Sequence, residues 1–124
     1  MKGFVVIMLA LLSGCAVNGE WSHEDTRREL VWDAAAAMDT WQTMRIRHLP
    51  HIEEGGSLAV NFIGKQPEPK DVALYMASYS VAHFLVSRAL PPRWRKYWQY
   101  GTAVEEWHVV IKNCQLHRNC IVSD

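Results

Sequence analysis

Polar and apolar positions divide the chain into a short leading run and four later stretches. Phe4 to Leu12 is unbroken apolar sequence, preceded by Lys2 and followed by Ser13 and Gly14. After a short mixed segment comes Ser22-His23-Glu24-Asp25, a capping box in which a serine hydroxyl and an acidic side chain three residues on can satisfy each other's backbone amides. Val31, Ala34, Ala35, Met38 and Trp41 then recur at helical spacing, which predicts an amphipathic helix running to about His48, with Leu49-Pro50 disfavouring continuation. Gly55-Gly56 turns the chain, and Ser57–Ile63 reads as a short helix ended by Gly64. Val72 to Ser87 contains no formally charged residue, and its apolar side chains fall all round a helix over 70–90. Such a helix is buried in protein or spans a membrane; its polar load of tyrosines, serines, His83 and Arg88 favours burial in protein. Leu90-Pro91-Pro92 stops it, and Pro92 suits the first turn of a last helix. There Tyr97, Tyr100, Val104, Trp107, Ile111 and Cys114 alternate at three and four residues, a seam expected to pack on a neighbour. Arg95, Gln99, Thr102, Glu106 and Asn113 form the opposite, polar face. The fold class that follows is all-α, a small bundle of three main helices plus one short helix.

The leading run is too short to cross a hydrocarbon layer of about 30 Å and has the layout of a secretory signal. It ends in Leu12-Ser13-Gly14-Cys15, which resembles the lipobox of bacterial lipoproteins. That resemblance implies cleavage before Cys15, a diacylglycerol on its thiol and acylation of the new amino terminus. The chain then divides into a signal peptide (1–14), a lipidated tether (15–21) and a helical domain (22–124). The partner so implied is a lipid bilayer, reached through acylated Cys15. Ala16 follows, where lipoproteins kept at the inner membrane often carry Asp. By resemblance the destination is the outer membrane, facing the periplasm.

Charge and cysteines narrow the chemistry. Thirteen basic and thirteen acidic residues balance, which argues against nucleic acid as a partner. With Cys15 assigned to lipid, Cys114 and Cys120 are an even pair in an oxidising compartment, and a disulfide is expected. His48, His51, Glu53 and Glu54 are zinc-type ligands, but Pro50 forbids the helical spacing an H-E-x-x-H site needs, so no metal and no cofactor is expected. The chain offers no nucleophile with a positioned base and no glycine-rich phosphate loop. No catalytic activity is inferred, and a hydrolase or metal enzyme built on His83 and Glu106 ranks below a structural role.

Two polar sets stand out. Asp39, Gln42, His83, Glu106 and Asn113 sit on otherwise apolar helices and are expected to form a buried polar network that fixes helix register. Arg93, Arg95 and Lys96 surround Trp94 and Trp98, a combination suited to the headgroup zone of a membrane or to a protein partner.

Residues 39–113 also resemble small uncharacterised bacterial and phage-encoded helical proteins associated with membranes. The matching positions are Asp39, Gln42, Thr43, Glu54, Ile63, Gly64, Tyr75, His83, Leu90, Pro91, Trp98, Gln99, Glu106 and Asn113. The chain departs at Gly56-Ser57, where the pattern has Asn-Pro. That family implies no reaction. The expected function is a membrane-anchored envelope lipoprotein with a structural or accessory role, of bacterial or prophage origin, packing on an envelope protein. The alternatives are an integral membrane protein with a polar intramembrane ligand or ion site, and a phage lysis lipoprotein resembling outer-membrane spanins, which are typically proline-rich and extended.

Overall fold

The computed structural model describes residues 19–45, 48 and 57–117. They form α1 (His23–Met44), α2 (Ser57–Ile63), α3 (Pro69–Ala89) and α4 (Pro92–His117), an all-α bundle. Local chemistry sets the ends. Ser22 accepts from the Asp25 amide at 3.0 Å while Asp25 accepts from the Ser22 amide at 2.9 Å, closing the expected capping box. Gly64, at φ +79°, follows α2, a left-handed conformation that favours glycine. Pro69 begins α3, and Leu90 is extended before Pro91, as the residue ahead of a proline prefers.

The α1 helix lies mainly against α4 and more lightly against α3, while α2 packs on α3. Cross-helix bonds fix the directions. Asp25 meets Arg95 and Gln42 meets the Val110 carbonyl, so α1 and α4 run parallel; Glu29 meets both His83 and Ser87, and Trp32 meets Tyr79, so α3 runs antiparallel to them. The apolar core is small: Trp32, Ala36, Val72, Met76 and Ala103, with Met44, Ile63 and Tyr75 packed against it.

Burial corrects three expectations. The seam of α4 faces outward: Tyr97, Tyr100, Val104 and Ile111 are exposed, whereas Arg95 and Gln99 are fully buried. On α1 the expected inner stripe is largely outside, with Val31, Met38 and Trp41 exposed and Asp25, Glu29, Trp32, Ala35, Ala36 and Thr43 buried. Nor is α3 enclosed all round, since Leu74, Val81 and Phe84 are exposed. One physical reason covers the first two. Both stripes of each helix repeat at the same spacing, and the polar stripes of α1 and α4 complement each other in charge and hydrogen bonding. Bonding them together removes the desolvation penalty that would otherwise keep them in water.

No described helix is long and apolar enough to cross a membrane. Cys15, Cys120, His51, Glu53 and Glu54 lie outside the described residues.

Candidate functional site

The densest chemistry lies at the end of the bundle that carries the α1 cap. Asp25 sits at the third helical position of α1, so the same carboxylate that closes the cap also faces α4. It accepts from Arg28 one turn on and from Arg95 Nη1 at 3.0 Å. The Arg95 fork is completed by the Ser87 carbonyl at 2.8 Å, the Glu20 carbonyl at 3.1 Å and the Leu90 carbonyl at 3.2 Å. One guanidinium thus ties the segment before α1, the end of α3 and the start of α4. Burial alone would raise the Asp25 pKa, but bonds from Ser22, Arg28 and Arg95 outweigh it and hold the group at about 2.

One turn further, Glu29 accepts from Ser87 at 3.0 Å, from Gln99 Nε2 at 2.8 Å and from His83 Nδ1–H at 2.8 Å. Burial pushes this carboxyl up, but the donors His83, Gln99 and Ser87, with the charge of His83, leave it below its usual range. A carboxylate only accepts, so Nδ1 carries the hydrogen. On the other side of the ring, Nε2 lies 2.8 Å from Thr102 Oγ1, whose own hydroxyl is 2.7 Å from the Trp98 carbonyl. Thr102 has one hydrogen, which can go to the Trp98 carbonyl or to Nε2, so the direction of the ring–hydroxyl bond follows the tautomer of the imidazole. The imidazole stacks on Trp32 at 3.9 Å and 1°, and faces Trp98 at 5.3 Å and 26°.

The Glu29–His83–Thr102 line has the outline of a carboxylate–imidazole–hydroxyl triad. The hydroxyl is also engaged by the α4 backbone, 2.7 Å from the Trp98 carbonyl and 3.3 Å from the Gln99 carbonyl. What this arrangement does is hold α1, α3 and α4 in one register through a saturated polar centre.

A second cluster lies toward the other end of α1 and α4. Asn113 Nδ2 donates to Asp39 Oδ1 at 3.1 Å and to Gln42 Oε1 at 3.2 Å, and Gln42 Nε2 donates to the Val110 carbonyl and to Cys114 Sγ, both at 3.2 Å. Cys114 is disulfide-bonded. Nearby Glu106 has its pKa raised to about 7, first by burial and then by the charges of Asp39 and Glu105. Between the two clusters a groove of about 430 Å³ separates α1 from α3, lined by Asp33, Ala36, Thr40, Ala73, Met76 and Ser80. Burial, with the charge of Glu29, raises the Asp33 carboxyl there despite the opposing charge of His83.

The five residues expected to form one network therefore divide. Asp39, Gln42 and Asn113 are brought together, Glu106 borders them through charge, and His83 belongs to the other cluster with different partners. Of the expected contact surface, Arg93, Trp94 and Lys96 are exposed. Arg95 is not, since its guanidinium bonds to Ser87, Glu20, Asp25 and Leu90 inside the bundle, and Trp98 turns its ring to His83 with its indole nitrogen buried. Glu29, Ser87 and Gln99, the partners of His83 and Arg95, were not legible as a site. The available signal was the spacing Asp25, Glu29, Trp32, Ala36 on α1 against Arg95, Gln99, Thr102, Glu106 on α4. Among the described residues, no three histidine, cysteine or acidic side chains converge to hold a metal ion. Comparison of the chain with protein-family models, with curated proteins and with solved structures returned no match.

Proposed function

We propose that the chain is an envelope lipoprotein, held to the outer membrane through Cys15, with a non-enzymatic accessory role in which its outward helix faces pack on another envelope component. One observation carries this reading: the bundle buries Asp25, Glu29, His83 and Arg95 between its helices while many of its large apolar side chains stand outside. Leu74 is 71% exposed, Val104 70% and Phe62 66%, while Arg95 and Gln99 are at 0%. Apolar exposure beyond scattered single residues marks a surface used for association.

The test has two parts. Cys15→Ser should abolish acylation, read by mass spectrometry, and move the protein from the membrane to the soluble fraction. Photo-crosslinkers placed at Leu74 and Val104 should give a discrete adduct in cells, while one at exposed Lys112 serves as the control. Even labelling at all three positions, with no adduct, would sink the accessory role. The outward apolar side chains leave the integral-membrane alternative as the second reading, although no described helix is long and apolar enough to cross a membrane. Retention of the Cys15→Ser protein after carbonate extraction would favour it.

A further inference from the structure

The segment that leads to α1 is pinned to the corner between α3 and α4. A Cβ on Gly19 would lie 2.9 Å from Pro92 Cγ, and the Glu20 carbonyl accepts from Arg95 at 3.1 Å. Cys15 lies four residues before Gly19. At no more than about 3.6 Å per residue, the proposed lipid attachment point stays within about 14 Å of that corner. The corner itself presents aromatic rings interleaved with cations. Trp94 is 54% and Tyr97 62% exposed, with ring centroids 6.2 Å apart. The Arg93 guanidinium lies 5.7 Å from the Trp94 ring, and Lys96 Nζ is 5.0 Å from the Tyr97 ring. Arg88 covers Trp21 at 5.0 Å on the same corner. Glu20 is an opposing carboxylate nearby, whereas Glu24 is already paired with Arg27 at 3.0 Å.

We propose that this corner, with Trp94, Tyr97, Arg93, Lys96 and Arg88, rests on a phospholipid bilayer bearing anionic headgroups. Indole and phenol rings settle at headgroup depth because one edge is apolar and the other hydrogen-bonds. Arginine and lysine beside them reach phosphate while their stems lie along the rings. The position of the corner next to Cys15 rests on the lipoprotein reading, but its affinity for lipid does not, and the two separate in experiment.

The chain from residue 15 onward, carrying Cys15→Ser, is floated with vesicles of phosphatidylethanolamine and phosphatidylglycerol, and in parallel with phosphatidylcholine alone. It should co-float with the anionic vesicles and release at high salt. Arg93→Gln and Lys96→Gln should each lower partitioning about fivefold, and Trp94→Ala should also weaken it. Lys112→Gln, on the far part of α4, should change nothing. Circular dichroism of each variant verifies that the helices persist, as expected for exposed positions.

Equal recovery with phosphatidylcholine, no recovery with either vesicle, or full binding by the Arg93→Gln/Lys96→Gln double variant would overturn the proposal. A protein-only contact would give the second of these results. Mass spectrometry of Cys15 in the wild-type protein reports the lipoprotein reading independently. Acylation without vesicle binding by the Cys15→Ser chain rejects only the corner; vesicle binding without acylation rejects only the anchor.

Discussion

The two polar clusters of the bundle are built from the same kinds of side chain and behave in opposite ways. At the capped end, Asp25 and Glu29 are met by Arg28, Arg95, His83 and neutral donors, and both carboxyls are held below their usual range. Along the same two helices, Glu106 is met by Asp39 and Glu105, and its carboxyl is pushed up to about 7. Burial opposes ionisation at both places. The outcome is decided by what surrounds each carboxyl: cations and N–H donors at one end, further carboxylates at the other. The first cluster ties three helices and the incoming segment together, while the second is a local join between α1 and α4.

The largest effect should come from breaking the first cluster at its centre. Arg95→Met keeps much of the volume but takes one of two cations from Asp25 and the donor from the Ser87, Glu20 and Leu90 carbonyls, and should lower stability by about 3 kcal/mol in urea unfolding. A loss no greater than that of an exposed substitution would end the distinction between the two regions. Glu29→Gln keeps the shape but removes acceptor capacity from His83, Ser87 and Gln99, and should cost about 1–3 kcal/mol. Asn113→Ala is the matching change in the second cluster. It is half-buried and loses two neutral-donor bonds, so a decrease of about 1 kcal/mol or less is expected in the same assay.

Acidity sharpens the contrast further, because the clusters titrate with opposite sign. Asp25 is held at about 2 in the fold against an ordinary 3.8, so its stabilisation is present above pH 3.8 and disappears as pH falls toward 2. Glu106 is raised from 4.5 to about 7, so the fold holds its proton more tightly than the unfolded chain does. Its unfavourable share is absent below pH 4.5 and grows as pH rises to about 7. Thermal unfolding of Glu106→Gln should therefore match wild type near pH 4 and exceed it at pH 8. Equal melting temperatures at both pH values would show that Glu106 is not crowded by carboxylates in solution.

The element boundaries were almost wholly legible. Ser22 and Asp25 announce the first cap, Gly64 the end of α2, and Leu90-Pro91-Pro92 the break before α4, because each is a local rule of backbone geometry or capping. Part of the far cluster was legible too, since Asp39, Gln42 and Asn113 are conspicuous on apolar helices. The pinned corner was visible only as a composition of rings and cations around Trp94; that Gly19 touches Pro92 there is a long-range fact.

By itself, then, the sequence determined where helices start, stop and carry two stripes, since hydrogen bonding along a helix depends on neighbours within a few residues. It did not determine which stripe faces in. Tyr97, Tyr100 and Val104 repeat on α4 just as regularly as Arg95, Gln99 and Thr102, and periodicity has no sign. Only the tertiary structure decided that, by bringing Asp25 and Glu29 of α1 against Arg95 and Gln99 of α4 and closing the set with His83 and Ser87 of α3. A buried charge needs partners, and Arg95 for Asp25 and His83 for Glu29 lie more than fifty residues away along the chain.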